Sequence, residues 1–434
     1  MAVILAVIIL NDTYKNVFVS VLMIFCVILE FGLNAHILLQ KNKNSNVKEY
    51  AAYVDKQSQL TKQLREYDND SYRVTQTYTR SKSENGLTAY YNDSLAYGYW
   101  GLSTYTSTPD GKQLVVFERL GYRNESDTMS IINTTVLPVD SLLGMKYIMS
   151  KNDIDIFDKI KLEDVKAMKN TENSENYIYK NSYALPMIFN YKAKGTLPEY
   201  ENENPFEYQN KIYRYLTGKD IDLYKKIKYS REDVSEKERI YHLEYQVPNH
   251  MVYGNLPWNN YFLGHIQTDE KMITDYACFI SPSVFLIPNT SKDNNAEVRI
   301  TTENRIDFQD GKEQFYELDL DVLGEMTDIL NRGQKTQYEI KNGKVNIRVD
   351  AEEGERLFTS ILSAEGWTIT NNGKKIKPEL FVDCLYNIEL SQGKNEIVMK
   401  YEMPGFKVGI AISGMSLLAV IISVVFFSIQ HYKK

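Results

Sequence analysis

Residues 408–429 read VGIAISGMSLLAVIISVVFFSI, and this uncharged segment sets the architecture of the chain. Leu, Ile, Val and Phe dominate it. An α-helix rises about 1.5 Å per residue, so about 22 such residues cross a hydrocarbon core of about 30 Å. Lys407 precedes the segment, and Lys433 and Lys434 follow it as a basic tail that favours a cytoplasmic C-terminus. The sequence therefore predicts a transmembrane helix with a short cytoplasmic tail within residues 404–434.

A stripe of small residues runs along the predicted helix. Gly405, Gly409 and Ser413 recur every four residues, a spacing that lets a second helix approach closely in a membrane. Ordinary membrane-helix composition produces the same pattern and stays an open alternative. We assign these three residues to helix packing.

Composition narrows the class of protein. The 434 residues carry a net charge of −7, with 43% hydrophobic and 25% charged residues, which suits a folded protein with membrane segments. The acidic balance argues against nucleic acid as a partner. Of three cysteines, Cys26 lies in an apolar segment, and no spacing supports a disulfide between Cys278 and Cys384. A large exported domain without disulfides is commoner in bacteria.

The N-terminal region, residues 1–40, predicts a partial transmembrane hairpin. Residues 1–10 are wholly apolar but span only about 15 Å as a helix, half of a membrane. They lack the basic start and the cleavage site of a signal peptide. We expect them to end a truncated helix, followed by a tight turn at 11–16 and a complete membrane helix at 17–39. The turn then lies in the cytoplasm, and residues 41–403 form an extracytoplasmic region.

Two polar residues interrupt the second of these helices. Glu30 and Asn34 are four apart and therefore share one face. An ionisable residue inside a membrane span is costly and usually faces a bundle interior or a wet cavity. We predict that both residues line a cavity. A position of Glu30 near the outer headgroups is the open alternative.

Residues 41–235 have the pattern of a mixed α/β exported domain. Residues 46–66 lack Gly and Pro and present a loose apolar face, which predicts a helix. Asn204 is a typical N-cap before a proline at the first helical position, so a second helix is predicted from Pro205 to Lys228. The other predicted elements are a helix at 153–168 and strands at 72–79, 113–117 and 145–149.

Residues 236–403 change to short strands separated by turn signals. Asn342-Gly343 and Asn372-Gly373 are strong hairpin signals. Trp367 opens one strand and is expected in the domain core. Strands are predicted at 242–247, 283–287, 296–301, 314–320, 337–340, 344–349, 356–362, 367–370, 387–390 and 396–401. This pattern favours a β-sandwich or jelly-roll domain, and the predicted fold class is a membrane-anchored α+β protein.

No catalytic or metal-binding constellation is visible in the sequence. The five histidines and the cysteines show no zinc-ligand spacing, and there is no Gly-rich phosphate loop or GxSxG motif. Asp-x-Asp pairs such as Asp68 with Asp70 can hold the metal of a nucleotide-sugar enzyme, but a chain this rich in Asp contains them by chance. We assign no catalytic residue, no metal and no cofactor.

The densest aromatic segment is the candidate sugar-binding site. Tyr97, Tyr99, Trp100 and Tyr105 are interleaved with Gly and Ser residues. Aromatic rings stack on the apolar faces of sugars, and small neighbours leave room for a ligand. Ordinary strand packing with turns is the alternative interpretation.

Several motifs resemble the YfhO family of bacterial multi-pass membrane proteins. They are NDSLAYGY at 92–99, LLGMKY at 142–147, GWT at 366–368, QGKN at 392–395 and YEMPGF at 401–406. The last motif runs into Gly409 and Ser413. Glu30 and Asn34 fit the helix before the large domain, so the likeness covers nearly the whole chain.

The resemblance implies a function. Family members resemble GT-C glycosyltransferases, which have many membrane helices and take sugars from polyprenyl-phosphate donors at an outward-facing site. They are implicated in decorating lipoteichoic acid or related envelope polymers. The acidic catalytic residues of GT-C enzymes lie in outer loops upstream of the segments that match here, so no catalytic residue transfers to this chain. The implied partners are the lipid bilayer, the sugar donor, the polymer and the missing upstream helices.

The sequence therefore predicts the C-terminal part of an envelope glycosyltransferase, inactive by itself and located in the bacterial cell membrane. A rival hypothesis from another class is a non-catalytic, membrane-anchored module that binds polysaccharide or protein.

Overall fold

The computed structural model describes most of the chain outside the N-terminus. The described residues are 17–41, 47–76, 92–102, 104–105, 110–126, 129–131, 136–150, 163–164, 177–244, 250–259, 262–268, 271–278, 284–287, 295–303, 305–332 and 334–432. The truncated helix and tight turn predicted within residues 1–16 lie outside them, as does most of the helix predicted at 153–168.

The described residues form eight helices and 25 strands. The helices are α1 (Val17–Lys41), α2 (Val47–Tyr67), α3 (Asp93–Tyr97), α4 (Gly111–Arg119), α5 (Leu137–Leu142), α6 (Pro205–Thr217), α7 (Leu320–Asn331) and α8 (Phe406–Tyr432). The strands are β1 (Arg73–Gln76), β2 (Thr104–Tyr105), β3 (Arg123–Ser126), β4 (Met129–Ile131), β5 (Met145–Ser150), β6 (Glu163–Asp164), β7 (Tyr177–Lys180), β8 (Ile188–Tyr191), β9 (Tyr224–Lys226), β10 (Lys228–Ser235), β11 (Glu238–Glu244), β12 (His250–Asn255), β13 (Phe262–Thr268), β14 (Lys271–Cys278), β15 (Phe285–Ile287), β16 (Asn295–Thr302), β17 (Gln314–Asp319), β18 (Gln337–Lys341), β19 (Lys344–Ala351), β20 (Arg356–Leu362), β21 (Trp367–Asn371), β22 (Lys374–Ile376), β23 (Glu379–Phe381), β24 (Leu385–Glu389) and β25 (Gly393–Tyr401). The predicted α+β class is confirmed.

The chain divides into two units. The first comprises Met1–Asp55 and Lys82–Thr88, and the second comprises Lys56–Ser81 and Ala89–Lys434. In the first unit, α1 forms a helix where one was predicted at 17–39, and its apolar stretch is Ile24–Gln40. That this helix crosses the membrane stays a prediction.

The C-terminal part of the second unit is a β-sandwich. A five-stranded sheet in the order β18-β19-β25-β21-β22 and a four-stranded sheet in the order β23-β24-β20-β8 share one apolar core. Alternate residues of β19, such as Val345 and Ile347, point into this core beside Leu357 and Ile388, as the two-residue period of a strand requires. The strand order does not establish the jelly-roll alternative.

A second pair of sheets packs in the same way around its own core. The outer sheet has the order β10-β11-β16-β13-β14 and the inner sheet the order β15-β12-β17-β9. Tyr241 and Val298 from the outer sheet meet Phe285 and Phe315 from the inner sheet. The centroids of the Tyr241 and Phe315 rings lie 5.1 Å apart.

A layer that includes α6 and α7 packs on the sheet β15-β12-β17-β9 and on the sheet β23-β24-β20-β8, which we call the two inner sheets. Phe206 of α6 and Leu323 of α7 belong to one large apolar cluster with Phe358 of β20 and Tyr316 of β17. Phe206 is fully buried, and its ring stacks on Tyr316 at 4.5 Å. Burial of such a side chain contributes about 1.5–3 kcal/mol. All four residues of β8 are buried because this strand is covered on both faces.

The two remaining sheets are formed by strands β1 to β7. One has the order β1-β5-β7-β6, with β1 parallel to β5, and the other has the order β2-β4-β3. Leu60 and Leu64 of α2 pack on Tyr72, Val74 and residues of β5. The helix predicted at 46–66 is thereby confirmed, since its apolar face covers this sheet.

Local sequence signals decide where several helices begin and end. Asn204 caps α6 by accepting from the amides of Phe206 and Glu207, both at 3.0 Å. The helix ends at Gly218, whose φ of +70° is left-handed, so the prediction that it continues to Lys228 is wrong. The strand predicted at 113–117 is also wrong: Asp110 caps a helix there by accepting from the Lys112 amide at 2.9 Å.

Other strand predictions differ only at their ends or in part. The strand predicted at 314–320 stops at Asp319, because Asp319 caps α7. Glu163 and Asp164, within the helix predicted at 153–168, form β6 instead. Both Asn-Gly turns form as predicted, with φ of +51° and +70° at Asn342 and Gly343.

The predicted boundary between residues 235 and 236 lies between strands that share sheets. β8 pairs with β20, and β9 pairs with β17. Each inner sheet therefore combines strands from both predicted domains. The division into 41–235 and 236–403 stays a prediction about folding units. Trp367 is half-buried at the margin of the C-terminal sandwich core, where its ring lies 5.3 Å from that of Tyr401.

Candidate functional site

The aromatic residues predicted to bind sugar differ in exposure. Tyr97 is buried in α3, and its carbonyl accepts from Thr61 Oγ1 at 2.6 Å. Tyr99 packs against the cluster under α2, whereas Trp100 is 41% exposed. The side chain of Tyr105 lies outside the described residues. Of the described rings, that of Trp100 is the most exposed, and sugar binding by these four residues stays a prediction.

Of the residues predicted to pack or to line a cavity, Glu30 and Asn34 lie on α1, and Gly409 and Ser413 lie on α8. Glu30 and Asn34 share one face of α1 with exposed side chains. Gly405 lies just before α8, with a φ of +77°, and its carbonyl accepts from the Gly409 amide at 2.8 Å. Gly409 and Ser413 are exposed within the helix. Gly405 thus starts the helix rather than lying on its face, and the packing role stays a prediction.

One cleft combines tyrosine rings, amides and charged groups, and we name it the β18 cleft. Its volume is about 670 Å³. Its lining residues are Asn69, Asp70, Ser71, Tyr72, Lys146, Ala184, Leu185, Pro186, Ile188, Asn331, Gln334, Thr336, Gln337, Tyr338, Glu339 and Ile340. The edge strand β18 forms one wall, and the segment before β1 forms the other.

An ion-paired cluster supports one side of this cleft. Lys146 Nζ lies 2.6 Å from Asp68 Oδ2 and 3.0 Å from Asp70 Oδ2. The Tyr147 hydroxyl donates to Asp68 Oδ2 at 2.8 Å. Burial alone would raise the pKa of Asp68, but these hydrogen bonds outweigh it and lower the pKa. The Asp-x-Asp pair at 68 and 70 therefore binds a lysine, which makes it a structural anchor.

Two tyrosine hydroxyls donate to backbone carbonyls beside the cleft. The Tyr72 hydroxyl donates to the Asp68 carbonyl at 3.2 Å, and the Tyr338 hydroxyl donates to the Ser71 carbonyl at 3.4 Å. Tyr72 is buried, while Tyr338 is half-buried and belongs to the margin of the C-terminal sandwich. Tyr338 thus joins β18 to the segment before β1, whereas the Tyr72 bond lies within that segment.

The polar groups at the mouth of the cleft are available to a ligand. Asn69, Gln337 and Glu339 have exposed side chains. An amide offers both donors and an acceptor, and a carboxylate accepts, so the three can bind neighbouring hydroxyl groups. Pro186 and the tyrosine rings supply apolar surface beside them. This combination suits a polyhydroxylated ligand such as a sugar chain.

Sequence reasoning missed this cleft because its parts come from three distant segments. Lys146 and Tyr338, for example, are far apart in the sequence. One signal was available: Lys146 and Tyr147 belong to the LLGMKY motif at 142–147. Their side chains hold the Asp68 carboxylate.

A second cleft, of about 810 Å³, follows α6. Lys194, Lys211, Arg214 and Lys219 line it together with Glu199, Glu201 and Asp220. Lys211 pairs with Glu201 at 2.7 Å and with Glu203 at 2.8 Å. Arg214 and Lys219 also have carboxylate partners. Since most of its cations are already neutralised, this cleft is the weaker candidate for a ligand.

The fold defines the class of protein, which is a β-rich body that continues directly into an apolar helix. Among the described residues, one helix carries a stretch long and apolar enough to cross a membrane, Phe406–Ser423 of α8. Residues 1–413 match the family described as bacterial membrane protein YfhO. The chain belongs to this family of bacterial membrane proteins. No curated protein matches it.

Solved structures similar to this chain are distant from it. A β-glucuronidase from Ruminococcus gnavus in complex with N1-substituted uronic isofagomine is 9% identical, with a TM-score of 0.17. The same enzyme in complex with D-glucaro 1,5-lactone is 8% identical, with a TM-score of 0.16. The matches cover 38% and 39% of this chain and 34% of each enzyme chain, so the chain spans about a third of their length. Such TM-scores do not establish a shared fold.

Proposed function

We propose that this protein holds the polymer acceptor for a cell-envelope glycosyltransferase of the bacterial membrane. The observation that carries the proposal is the family match over residues 1–413, which includes both the β-rich body and the start of the apolar helix α8. By the family resemblance, the sugar comes from a polyprenyl-phosphate donor and the acceptor is lipoteichoic acid or a related polymer.

The proposed topology is multi-pass. In it α1 and α8 both cross the membrane, the body between them faces the outside, and Lys433 and Lys434 lie in the cytoplasm. The basic tail supports this orientation, because lysines next to a span favour the cytoplasmic side.

The β18 cleft is the proposed acceptor site. Its exposed Asn69, Gln337 and Glu339 can bind sugar hydroxyls, and its size suits a short segment of a chain. The ion-paired Asp68 and Asp70 have a supporting part, because Lys146 holds both. Binding and positioning, rather than bond making, are what these groups can supply.

In this proposal, catalysis belongs to other membrane helices, which are part of proteins of the same family. Gly409 and Ser413 on α8 are proposed to pack against them, and Glu30 and Asn34 on α1 to line their cavity. Small residues permit close helix approach, and a membrane-embedded acid favours a bundle interior.

A non-catalytic binding module is the second candidate. The observation that favours it is the pairing of both Asp68 and Asp70 with one lysine, which leaves the β18 cleft without a free carboxylate pair at that wall. Both functions share the acceptor site and differ in whether a glycosyltransferase uses it.

The binding test uses the full chain in lipid nanodiscs with purified lipoteichoic acid. The double variant Asn69→Ala with Gln337→Ala should weaken binding about tenfold, since each lost hydrogen bond contributes about 0.5–1.5 kcal/mol. Gln392→Ala removes an exposed amide elsewhere and serves as the control. Unchanged binding by the double variant would exclude the β18 cleft as the acceptor site.

The transfer test uses a bacterial strain without family members. The chain together with the upstream helices of a full-length relative should restore sugar on the purified polymer, while the chain alone should not. Gly409→Leu should weaken the restoration. Transfer by the chain alone would refute the assignment of catalysis to other helices, and binding without any restoration would favour the non-catalytic module.

A further inference from the structure

The junction between the C-terminal sandwich and α8 is tightly tied. The Tyr401 amide donates to the Gly343 carbonyl at 2.8 Å, and the Glu402 amide donates to the Gly366 carbonyl at 3.0 Å. Two turns of the sandwich therefore hold the segment that leads into α8. This end of the sandwich lies at the start of the apolar helix.

The same end carries a row of lysines across three neighbouring strands. Lys341 on β18 lies opposite Lys344 on β19, and Lys344 lies opposite Lys400 on β25. All three side chains are exposed. We call them the lysine row. Like charges directly opposite each other in a sheet are destabilising, so this row is costly for the isolated sandwich.

The neighbouring rows on the same face do not share this property. The next row has Glu339, Asn346 and Val398, and the row after it has Gln337, Arg348 and Glu396. Beyond them, Asp350 lies opposite Lys394. Positive charge is thus concentrated in the row nearest α8, although the chain as a whole is acidic.

One carboxylate links the lysine row to the membrane helix. Glu402 accepts from Lys400 Nζ at 2.7 Å and from Lys407 Nζ at 2.6 Å. These bonds lower the pKa of Glu402 to about 2, so it stays ionised. Among the described side chains, Lys341 and Lys344 make no ion pair. Lys407 is the last charge before the apolar segment, so Lys400 lies close to its level.

Aromatic residues complete this end of the sandwich. Trp367 and Tyr401 form a pair with ring centroids 5.3 Å apart, and Tyr401 is 37% exposed. Met403 and Phe406 are exposed beside them. Trp and Tyr are enriched where a membrane protein meets the headgroups.

We infer that the lysine row, together with Trp367 and Tyr401, is a docking surface for the anionic lipid headgroups of the membrane that α8 crosses. The inference rests on the proposed span by α8. Lipid phosphates would supply the negative charge that Lys341 and Lys344 lack among the described residues. The sandwich would then rest on the bilayer in one orientation.

The test uses the full chain in nanodiscs, with a fluorescent label on a single introduced cysteine. The background is Cys26→Ser with Cys278→Ser, and Cys384 is buried. Thr368→Cys, on β21, places the label opposite Lys400 of β25. Lys394→Cys places the label on β25 itself, six residues before Lys400 and about 20 Å from it. The quencher is a nitroxide attached to lipid headgroups, in phosphatidylcholine with or without phosphatidylglycerol.

Quenching should be stronger at position 368 than at position 394 and should increase with phosphatidylglycerol. In the Thr368-labelled protein, Lys344→Glu should lower the part that depends on phosphatidylglycerol about fivefold or more, because a lysine near an anionic surface contributes roughly that factor. Lys394→Glu makes the same charge change on the same sheet face and should leave it unchanged. Added salt should weaken the effect.

Equal quenching at both positions, or quenching that ignores phosphatidylglycerol and Lys344→Glu, would overturn the docking surface while leaving the span intact. Failure of the chain to co-elute with nanodiscs would overturn the span by α8 and the docking surface with it.

Discussion

Arg73 on β1 donates from Nη1 to Ser360 Oγ at 2.6 Å and from Nη2 to the Ser360 carbonyl at 2.8 Å, which joins β1 to β20. Nη1 also donates to the Leu143 carbonyl at 2.6 Å. The guanidinium is buried, and these three partners are neutral oxygens. Burial lowers the pKa of Arg73 to about 10, which still leaves it charged at neutral pH. This side chain fastens the N-terminal sheet to the inner sheet of the C-terminal sandwich.

Arg73→Met should destabilise the protein by about 3 kcal/mol, because buried carbonyls lose hydrogen bonds from a charged donor. Chemical denaturation of the full chain in detergent measures the change. Arg348→Met, at an exposed position on the C-terminal sandwich, is the control and should change stability by less than about 0.5 kcal/mol. Equal effects of the two variants would show that the buried contacts of Arg73 contribute little.

The buried carboxyl of Asp140 should make stability depend on pH. Burial raises its pKa to about 7, against the hydrogen bond from the Tyr122 hydroxyl. The folded state therefore keeps a proton that the unfolded state loses above pH of about 4, and stability should fall by about 1.4 kcal/mol per pH unit up to about pH 7. Above pH 7 this contribution should level off.

Asp140→Asn cannot titrate and should remove that part of the slope, as measured by denaturation at a series of pH values. The comparison of the two proteins cancels other titrating groups. If the variant keeps the full slope between pH 4 and pH 7, the carboxyl of Asp140 is not the cause.

Gly366→Ala should disrupt the junction with α8. Gly366 has a φ of +108°, and an added Cβ would lie 2.3 Å from the Glu402 carbonyl oxygen. Gly373→Ala is a matched control, since Gly373 also has a positive φ of +75° but nothing within 4 Å of an added Cβ. Both variants carry the strain of a left-handed residue, about 1 kcal/mol. Gly366→Ala should lower the thermal midpoint further, and equal midpoints would show that the turn moves freely away from Glu402.

Cys384 should resist thiol reagents in the folded protein. Its side chain is buried, and burial raises its pKa to about 12, so almost no thiolate forms at neutral pH. In a Cys26→Ser, Cys278→Ser background, alkylation should become fast only after denaturant unfolds the sandwich. Mass spectrometry of peptides follows the modification. Rapid alkylation without denaturant would show that the segment around Cys384 opens easily.

Much of the local structure could be predicted because its causes lie within a few residues. The uncharged segment 408–429 predicts α8, and Asn342-Gly343 predicts a hairpin because both residues accept positive φ. Asn204 predicts the start of α6 through its own side chain. The extension to Lys228 failed because Gly218 ends the helix with a left-handed φ.

The arrangement of these elements depends on contacts between distant residues. The segment 113–117 has strand-like residues but folds as a helix, because its apolar face packs into the layer that covers both inner sheets. The walls of the β18 cleft are joined by Tyr338, whose hydroxyl reaches the Ser71 carbonyl. The lysine row exists only through the pairing of β18, β19 and β25. Periodicity and turn chemistry are local properties of a sequence, whereas strand pairing and burial also join residues that are distant in the sequence.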